Sequence, residues 1–336
     1  MTTPPSLPSA DSLDPTLRRA HPVPEWVAEP EPVYRAPAPQ RQGDRIWLHL
    51  LLLLLTLAST TLVGAAHYAS FMSDFGTRPV IQTSRLIWNG LPYSLTILGI
   101  LGAHEMGHYL ACRYYKIDAT LPFFLPMPLV LTGTLGAVIR IRQPILYKAP
   151  LFDIGIAGPI AGFLVAVPAL LCGLALSTTL PVPRNFVGAE LGEPLLFKAA
   201  EWLVWGTMQH GHDINLHPVA LAAWFGLLVT ALNLFPIAQL DGGHISYAVF
   251  GRYSTRITLA ATLVVASLVL VSLSWLVWTI LLVAMLVFVG PRHPPVIDED
   301  ATLDTTRLVL AAFALIMFVI CFTPAPIQVM DLIRPN

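Results

Sequence analysis

The stretch LTILGILGAHEMGHYLACRYY, residues 95–115, decides how this chain is read. It starts as an apolar helix and then sets His104, Glu105 and His108 in its lower half, with no charged residue before them since Arg85. Ionisable side chains in a membrane span are costly and mark chemistry. On a helix, His104 and His108 are four residues apart and share one face, the spacing that suits two imidazoles on one zinc ion. Glu105 lies about 100° round the helix, so it flanks the metal and suits a base acting on the attacking water.

The rest of the composition agrees with a membrane location. Of 336 residues, 55% are hydrophobic and 12% charged, and the mean hydropathy is +0.67. A soluble domain carries about 25% charged residues. The net charge of −1 implies no nucleic-acid surface. The three cysteines, Cys112, Cys172 and Cys321, lie far apart in or beside apolar segments and form no disulfide framework. Residues 1–45 hold ten prolines and no apolar run, which reads as a disordered cytoplasmic tail. A transmembrane domain over 46–323 follows, with its core at 86–250, and then a C-terminal tail, 324–336.

Counting about 20 apolar residues per span, the candidate spans are 46–68, 86–114, 151–178, 217–236, 256–273, 275–290 and 306–323, with the last long run broken at Ser272–Trp275. The expected fold class is an all-α polytopic membrane protein of about seven transmembrane helices, with a short membrane-dipping β segment near the active site. Basic residues orient it. Arg18, Arg19, Arg35, Arg41 and Arg45, then Arg113, Lys116, Arg140, Arg142 and Lys148, then Arg252 and Arg256 should share the cytoplasmic side, with the N-terminal tail. The loop 179–216, with Glu190, Glu193, Glu201 and Asp213, belongs outside.

Two segments are neither spans nor plain loops. Residues 121–143 are apolar but broken by Pro122, Pro126 and Pro128, then carry Gly133, Gly136 and a β-branched run. A strand or hairpin dipping into the membrane fits, and backbone survives there only where it lines a cavity or pairs with other backbone. Residues 194–209 read as an interfacial amphipathic helix, with Trp202 and Trp205 at headgroup level.

A catalytic zinc needs a third protein ligand. Cys112 continues the histidine face but lies about 12 Å from His104 along the axis. The cluster His210, His212 and Asp213 is on the wrong side for this topology. The better candidate lies in NLFPIAQLDGGH, residues 233–244, where Asp241 precedes Gly242 and Gly243. Those glycines permit a turn that would bring the carboxylate back to the metal. By span counting, His104 lies about 13 Å inside the cytoplasmic boundary near Arg113 and Asp241 lies near the same boundary, so both can meet at one depth. The run AGPIAG, residues 157–162, reads as small residues for close helix packing, and Pro236 as a helix terminator.

The pair HEMGH (104–108) and NLFPIAQLDGG (233–243), in a polytopic chain, resembles the site-2 protease family, zinc metalloproteases that cut within the membrane. The resemblance covers residues 86 to 250. It implies one zinc per chain held by His104, His108 and Asp241, Glu105 as catalytic base, and Asn233 as a substrate-holding residue. GTLGA, 133–137, is similar to a strand motif in the branch with chloroplast members and implies substrate contacts at Gly133, Thr134 and Gly136. The implied substrate is a transmembrane segment of another protein, presented in the lipid bilayer. Many members carry a PDZ domain where 179–216 lies here. That loop is too short for one, and no CBS-type domain fits after Pro324, so those modules are not expected. The acids in residues 1–45 fit a transit peptide poorly, so a bacterial cytoplasmic membrane is expected. A second class, a metal-binding membrane protein without protease activity such as a transporter or chaperone-like relative, competes with this reading.

Overall fold

Around HEMGH the chain is helical from Leu91 to Tyr114 (α2), preceded by a 3-10 helix, Ser84–Gly90. The helix starts later than residue 86 because Pro92 sits in its first turn, where a missing N–H is no loss. A computed structural model describes residues 43–80, 84–183, 187–208 and 211–331. The chain divides at Gly43, and Asp44–Asn336 forms one unit. The proline-rich stretch 1–45 lies outside the described residues but for its last three.

The other helices are α1 (Ile46–Met72), α3 (Lys148–Leu176), α4 (Leu195–Trp205), α5 (Pro218–Asn233), α6 (Asp241–Phe250), α7 (Ser254–Leu268), α8 (Trp275–Val289) and α9 (Thr305–Cys321). The chain is mostly helical. Of the described helices, α1 and α3 are long and apolar enough to cross a membrane by themselves, and α5, α8 and α9 are shorter apolar helices. Many large apolar side chains, Leu54, Leu164, Leu263 and Phe288 among them, are exposed on the helix surfaces, a pattern suited to lipid. The long run after residue 256 does break between α7 and α8. There Ser272 Oγ and Trp275 Nε1 donate to the carbonyls of Ile327 and Pro324.

Strands are short and lie in three two-stranded antiparallel sheets: β1 (Phe123–Pro126) with β2 (Thr134–Val138), β3 (Thr178–Pro181) with β5 (His212–Asn215), and β4 (Val187–Leu191) with β6 (Ile327–Asp331). The first is the expected β segment, a hairpin pairing Phe123 with Val138 and Pro126 with Thr134. The other two were not expected. The segment after Pro324 is therefore no plain tail, since it supplies the partner strand of β4.

Two sets of contacts mark the two ends of the bundle. At one end Arg142 pairs with Asp44 and Asp118, Lys148 Nζ donates to Ala301 O at 2.9 Å, and Arg307 holds Asp153. At the other, Asn215 Nδ2 donates to Phe71 O at 2.7 Å, and the β3–β5 and β4–β6 sheets gather. α1, 27 residues or about 40 Å at 1.5 Å per residue, runs between them. The core lies between α2, α3 and α5, around Ile97, Ile100, Leu170, Leu174, Trp224 and Leu227.

Candidate metal centre

α2 places His104 and His108 one turn apart, both buried. Their Nε2 atoms are 3.2 Å apart. Asp241, the first residue of α6, brings Oδ2 to 3.2 Å from His104 Nε2 and Oδ1 to 3.3 Å from His108 Nε2. Ligand atoms at 2.0–2.1 Å in a tetrahedron lie about 3.3 Å apart. The two histidine nitrogens thus stand one such edge apart, and each Asp241 oxygen lies at about that distance from a different one of them. Among the described residues, these three form the group of potential metal-binding side chains.

The local chemistry fits a cation. Ile154 O accepts from His108 Nδ1 at 2.7 Å, so the proton of the neutral ring sits on Nδ1 and Nε2 is the nitrogen left to bind a metal. Such an outer partner fixes the tautomer of a metal-binding imidazole. Beyond its 3.2 Å approach to His104 Nε2, Asp241 Oδ2 is buried without a hydrogen-bond partner among the described residues. A buried orphan carboxylate oxygen is costly, and a divalent cation removes that cost. At the N-terminus of α6 the helix dipole also favours the negative charge.

α3 makes room for both rings. It runs antiparallel to α2 and places Gly158 beside His108 and Gly162 beside His104. A Cβ on Gly158 would collide with Nε2, Cδ2 and Cε1 of His108, and one on Gly162 would lie 3.1 Å from His104 Cβ. The AGPIAG run therefore cradles the two imidazoles in addition to packing helices. The sequence held a signal for this. Gly158 and Gly162 have the same four-residue spacing as the histidines, and two antiparallel helices bring equal spacings into register.

Gly242 and Gly243 act differently from the expectation. The chain does not turn at them, because Asp241 already begins α6 and both glycines lie inside its first turn. Their missing side chains serve close approach: a Cβ on Gly242 would strike Leu234 O, and one on Gly243 would strike Ala238 O. The turn itself lies earlier, at Pro236–Leu240, where Ala238 adopts φ +38° and its N–H donates to Thr258 Oγ1 at 3.2 Å. This turn folds α6 back so that Asp241 meets α2.

The remaining candidates separate. Glu105 is buried, and its Oε2 accepts from Ile139 N at 3.0 Å, just past β2. Asn233, the last residue of α5, sets Nδ2 3.2 Å from His104 Nε2. Cys112 is buried against Ala119 and Ile154, apart from the metal-binding group. His212 and Asp213 belong to β5 at the other end of the bundle, and His210 lies outside the described residues. Gly133 (φ +75°) abuts Thr60 of α1, Thr134 Oγ1 donates to Leu125 O at 2.8 Å, and Gly136 (φ +106°) faces open space. Ile154, Ile139, Gly158 and Gly162 are the site residues that sequence reasoning missed.

The chain has relatives among known proteins. Residues 92–277 match the profile of Peptidase family M50. Among curated proteins, the chain is 29% identical over 250 residues to "Probable zinc metalloprotease EGY2, chloroplastic" of Arabidopsis thaliana, covering 72% of this chain and 43% of the relative. It is 30% identical over 241 residues to "Probable zinc metalloprotease EGY1, chloroplastic" of the same plant, covering 70% and 43%. It is 31% identical over 224 residues to the EGY1 protein of Oryza sativa subsp. japonica, covering 61% and 38%. The chain thus spans less than half the length of these relatives. No solved structure matches it. The profile spans more than half of the chain and includes both HEMGH and the segment that carries Asp241, and on that ground the chain belongs to Peptidase family M50, the membrane-embedded site-2 protease family.

Proposed function

We propose that this protein is a zinc-dependent endopeptidase that hydrolyses peptide bonds in transmembrane segments of other proteins, within the bilayer. The observation that carries it is the set of three near-equal separations, 3.2, 3.2 and 3.3 Å, among His104, His108 and Asp241, with Glu105 one residue from the first of them. His104 Nε2, His108 Nε2 and one Asp241 oxygen would hold one zinc per chain, which leaves a fourth position open. Bound there, the metal supplies Lewis acidity for hydrolysis near neutral pH.

The chain's own groups do the rest. Glu105 takes a proton from the attacking water and delivers it to the departing amide nitrogen. The Ile139 N–H holds one of its oxygens, leaving the other free to turn toward the reacting atoms. The Asn233 amide, beside His104, donates to the substrate carbonyl as negative charge develops there. A helical substrate must unwind first, because its carbonyls are shielded. The edge of β2 turned away from β1 offers it backbone partners. Gly133 and Thr134 shape that strand, and Gly136 leaves its open side uncovered.

The topology proposed with this function has seven crossings, by α1, α2, α3, α5, α7, α8 and α9, with the Asp44 end cytoplasmic. The contacts support it. Asp44, Arg142, Lys148 and Asp298 meet at one end, while Phe71, Asn215, Ser272 and Ile327 belong to the other, as strict alternation requires. Positive residues concentrate at the first end. The relatives are named as chloroplast proteins.

The test is cleavage of a model transmembrane segment by the purified full chain, wild type beside Glu105→Gln. Cleavage by wild type alone supports the protease reading. Metal binding without cleavage by either protein would leave a non-proteolytic metal-binding membrane protein.

A further inference from the structure

Helix α1 lies outside the stretch 92–277 matched by the family profile, yet one of its faces is polar and buried. His49, Thr56, Ser59, Thr60 and Thr61 are all nearly inaccessible. A helix that merely anchored the chain in lipid would turn apolar residues outward and need no such face. The polar face meets the β1–β2 hairpin. His49 Nδ1 lies 3.1 Å from Pro122 O, and its ring stacks on Phe123.

At the far end of the hairpin the contact is a clamp. Three consecutive carbonyls each receive one side-chain donor: Leu131 O from His67 Nε2 at 2.8 Å, Thr132 O from Tyr93 OH at 3.1 Å, and Gly133 O from Ser59 Oγ at 2.7 Å. Two donors come from α1 and one from α2. His67 donates through Nε2, so that nitrogen carries the ring proton. Gly133 completes the fit, since a Cβ there would come within 2.8 Å of Thr60 Cα. Loop carbonyls without such partners do not persist at membrane depth. The clamped residues lead directly into β2, and just beyond β2 the Ile139 N–H holds Glu105.

We infer that Ser59, His67 and Tyr93 are positioning residues for hydrolysis: by holding the carbonyls of residues 131–133 they fix where the β2 edge stands relative to Glu105 and the metal-binding side chains. α1 is thereby part of the substrate-holding apparatus. The inference rests on the protease reading above, and its test is arranged so that the two fail separately.

The experiment uses the purified full chain in liposomes, with zinc added and a model transmembrane segment as substrate. Tyr93→Phe and Ser59→Ala each remove one oxygen and leave the packing in place, and Ser59→Thr keeps the hydroxyl. One lost hydrogen bond is worth about a fivefold change. The double variant should therefore raise KM about tenfold or more with kcat within about twofold of wild type, because an interaction with bound substrate and transition state alike is lost. Zinc content should stay the same, and Ser59→Thr should restore the wild-type KM to the Ser59 position. Hydrogen exchange supplies a readout independent of activity: amides of residues 133–139 should exchange faster in the double variant, while those of α5 should not. An unchanged KM together with unchanged exchange at 133–139 would overturn the inference, and so would loss of zinc or of the fold in both single variants. A wild-type chain that cleaves nothing, beside a double variant with faster exchange at 133–139, would sink the protease reading and leave the clamp standing.

Discussion

Gly158 lies directly against the imidazole of His108, so that the volume a β-carbon would fill is already taken by Nε2 and its two neighbouring ring carbons. A methyl group there displaces the ring. Gly158→Ala should lower zinc affinity by about 10–100-fold, the loss typical when a ligand's surroundings are disturbed. Gly162→Ala, whose nearest contact is His104 Cβ at 3.1 Å, should cost less. Competition against a chromogenic chelator measures both. Equal, unchanged affinities would mean that α3 yields without moving His108.

The ligand assignment makes a sharper contrast. His108→Ala and Asp241→Ala should each reduce bound zinc from about one per chain to little, because two protein ligands hold the ion poorly. Cys112→Ser should keep the full amount, since Cys112 is buried beside Ala119 and Ile154. Metal analysis of the purified variants decides. Zinc lost from the Cys112 variant would overturn the ligand set.

Arg307 of α9 ties α3 to the residue that caps α2, near the same end of the bundle. Its guanidinium donates to Asp153 through Nε at 2.9 Å and Nη2 at 2.6 Å, and Nη2 also reaches Tyr115 OH at 3.2 Å. Asp153 neighbours Ile154, whose carbonyl holds His108. Arg307→Ala should lower stability by about 1.5–3 kcal/mol, the range for hydrogen bonds to charged groups, with the partial exposure of the pair favouring the lower figure. Thermal unfolding of the zinc-loaded protein reads this. A shift confined to activity, with no change in stability, would contradict a tie between helices.

The alternating topology predicts labelling. Single cysteines placed after Lys148 and after Arg252 should react only with reagent admitted to the cytoplasmic side. Cysteines at Glu193 and Gln328 should react from the other side, because Glu190 and Gln328 face each other across the β4–β6 pair. Labelling of Glu193 and Gln328 positions from opposite sides would remove that pairing and the seven-crossing path with it.

What the sequence made legible is what local spacing encodes. His104, Glu105 and His108 declare themselves because a helix fixes their relative directions over one turn. The hairpin shows in its prolines, its glycines and the β-branched run. Asp241 was recoverable through membrane depth, although its glycines were misread: they allow Leu234 O and Ala238 O to approach and leave the turn to Ala238. The roles of Gly158, Ser59, His67 and Tyr93 come from contacts between helices distant in the chain. A glycine that admits a ring and a glycine that admits a helix look alike in a sequence. The β4–β6 pair was invisible for the same reason, since its partners are more than a hundred residues apart and neither strand is long enough to show a period.

Asn233 and Glu105 should separate by what each loss leaves behind. Asn233→Ala removes an amide 3.2 Å from His104 Nε2. It should keep zinc and lower the cleavage rate by about 10²–10³, as loss of an oxyanion donor does. If it loses zinc, Asn233 orients His104 and does not meet substrate.

The central claim is that Glu105 is the base beside a zinc held by His104, His108 and Asp241. It is tested most directly by measuring, on one preparation of Glu105→Gln in liposomes, both zinc content and cleavage of a model transmembrane segment. The account predicts about one zinc per chain, as in wild type, and cleavage slower by at least about 10²–10⁴. Cleavage at the wild-type rate with zinc in place would contradict it.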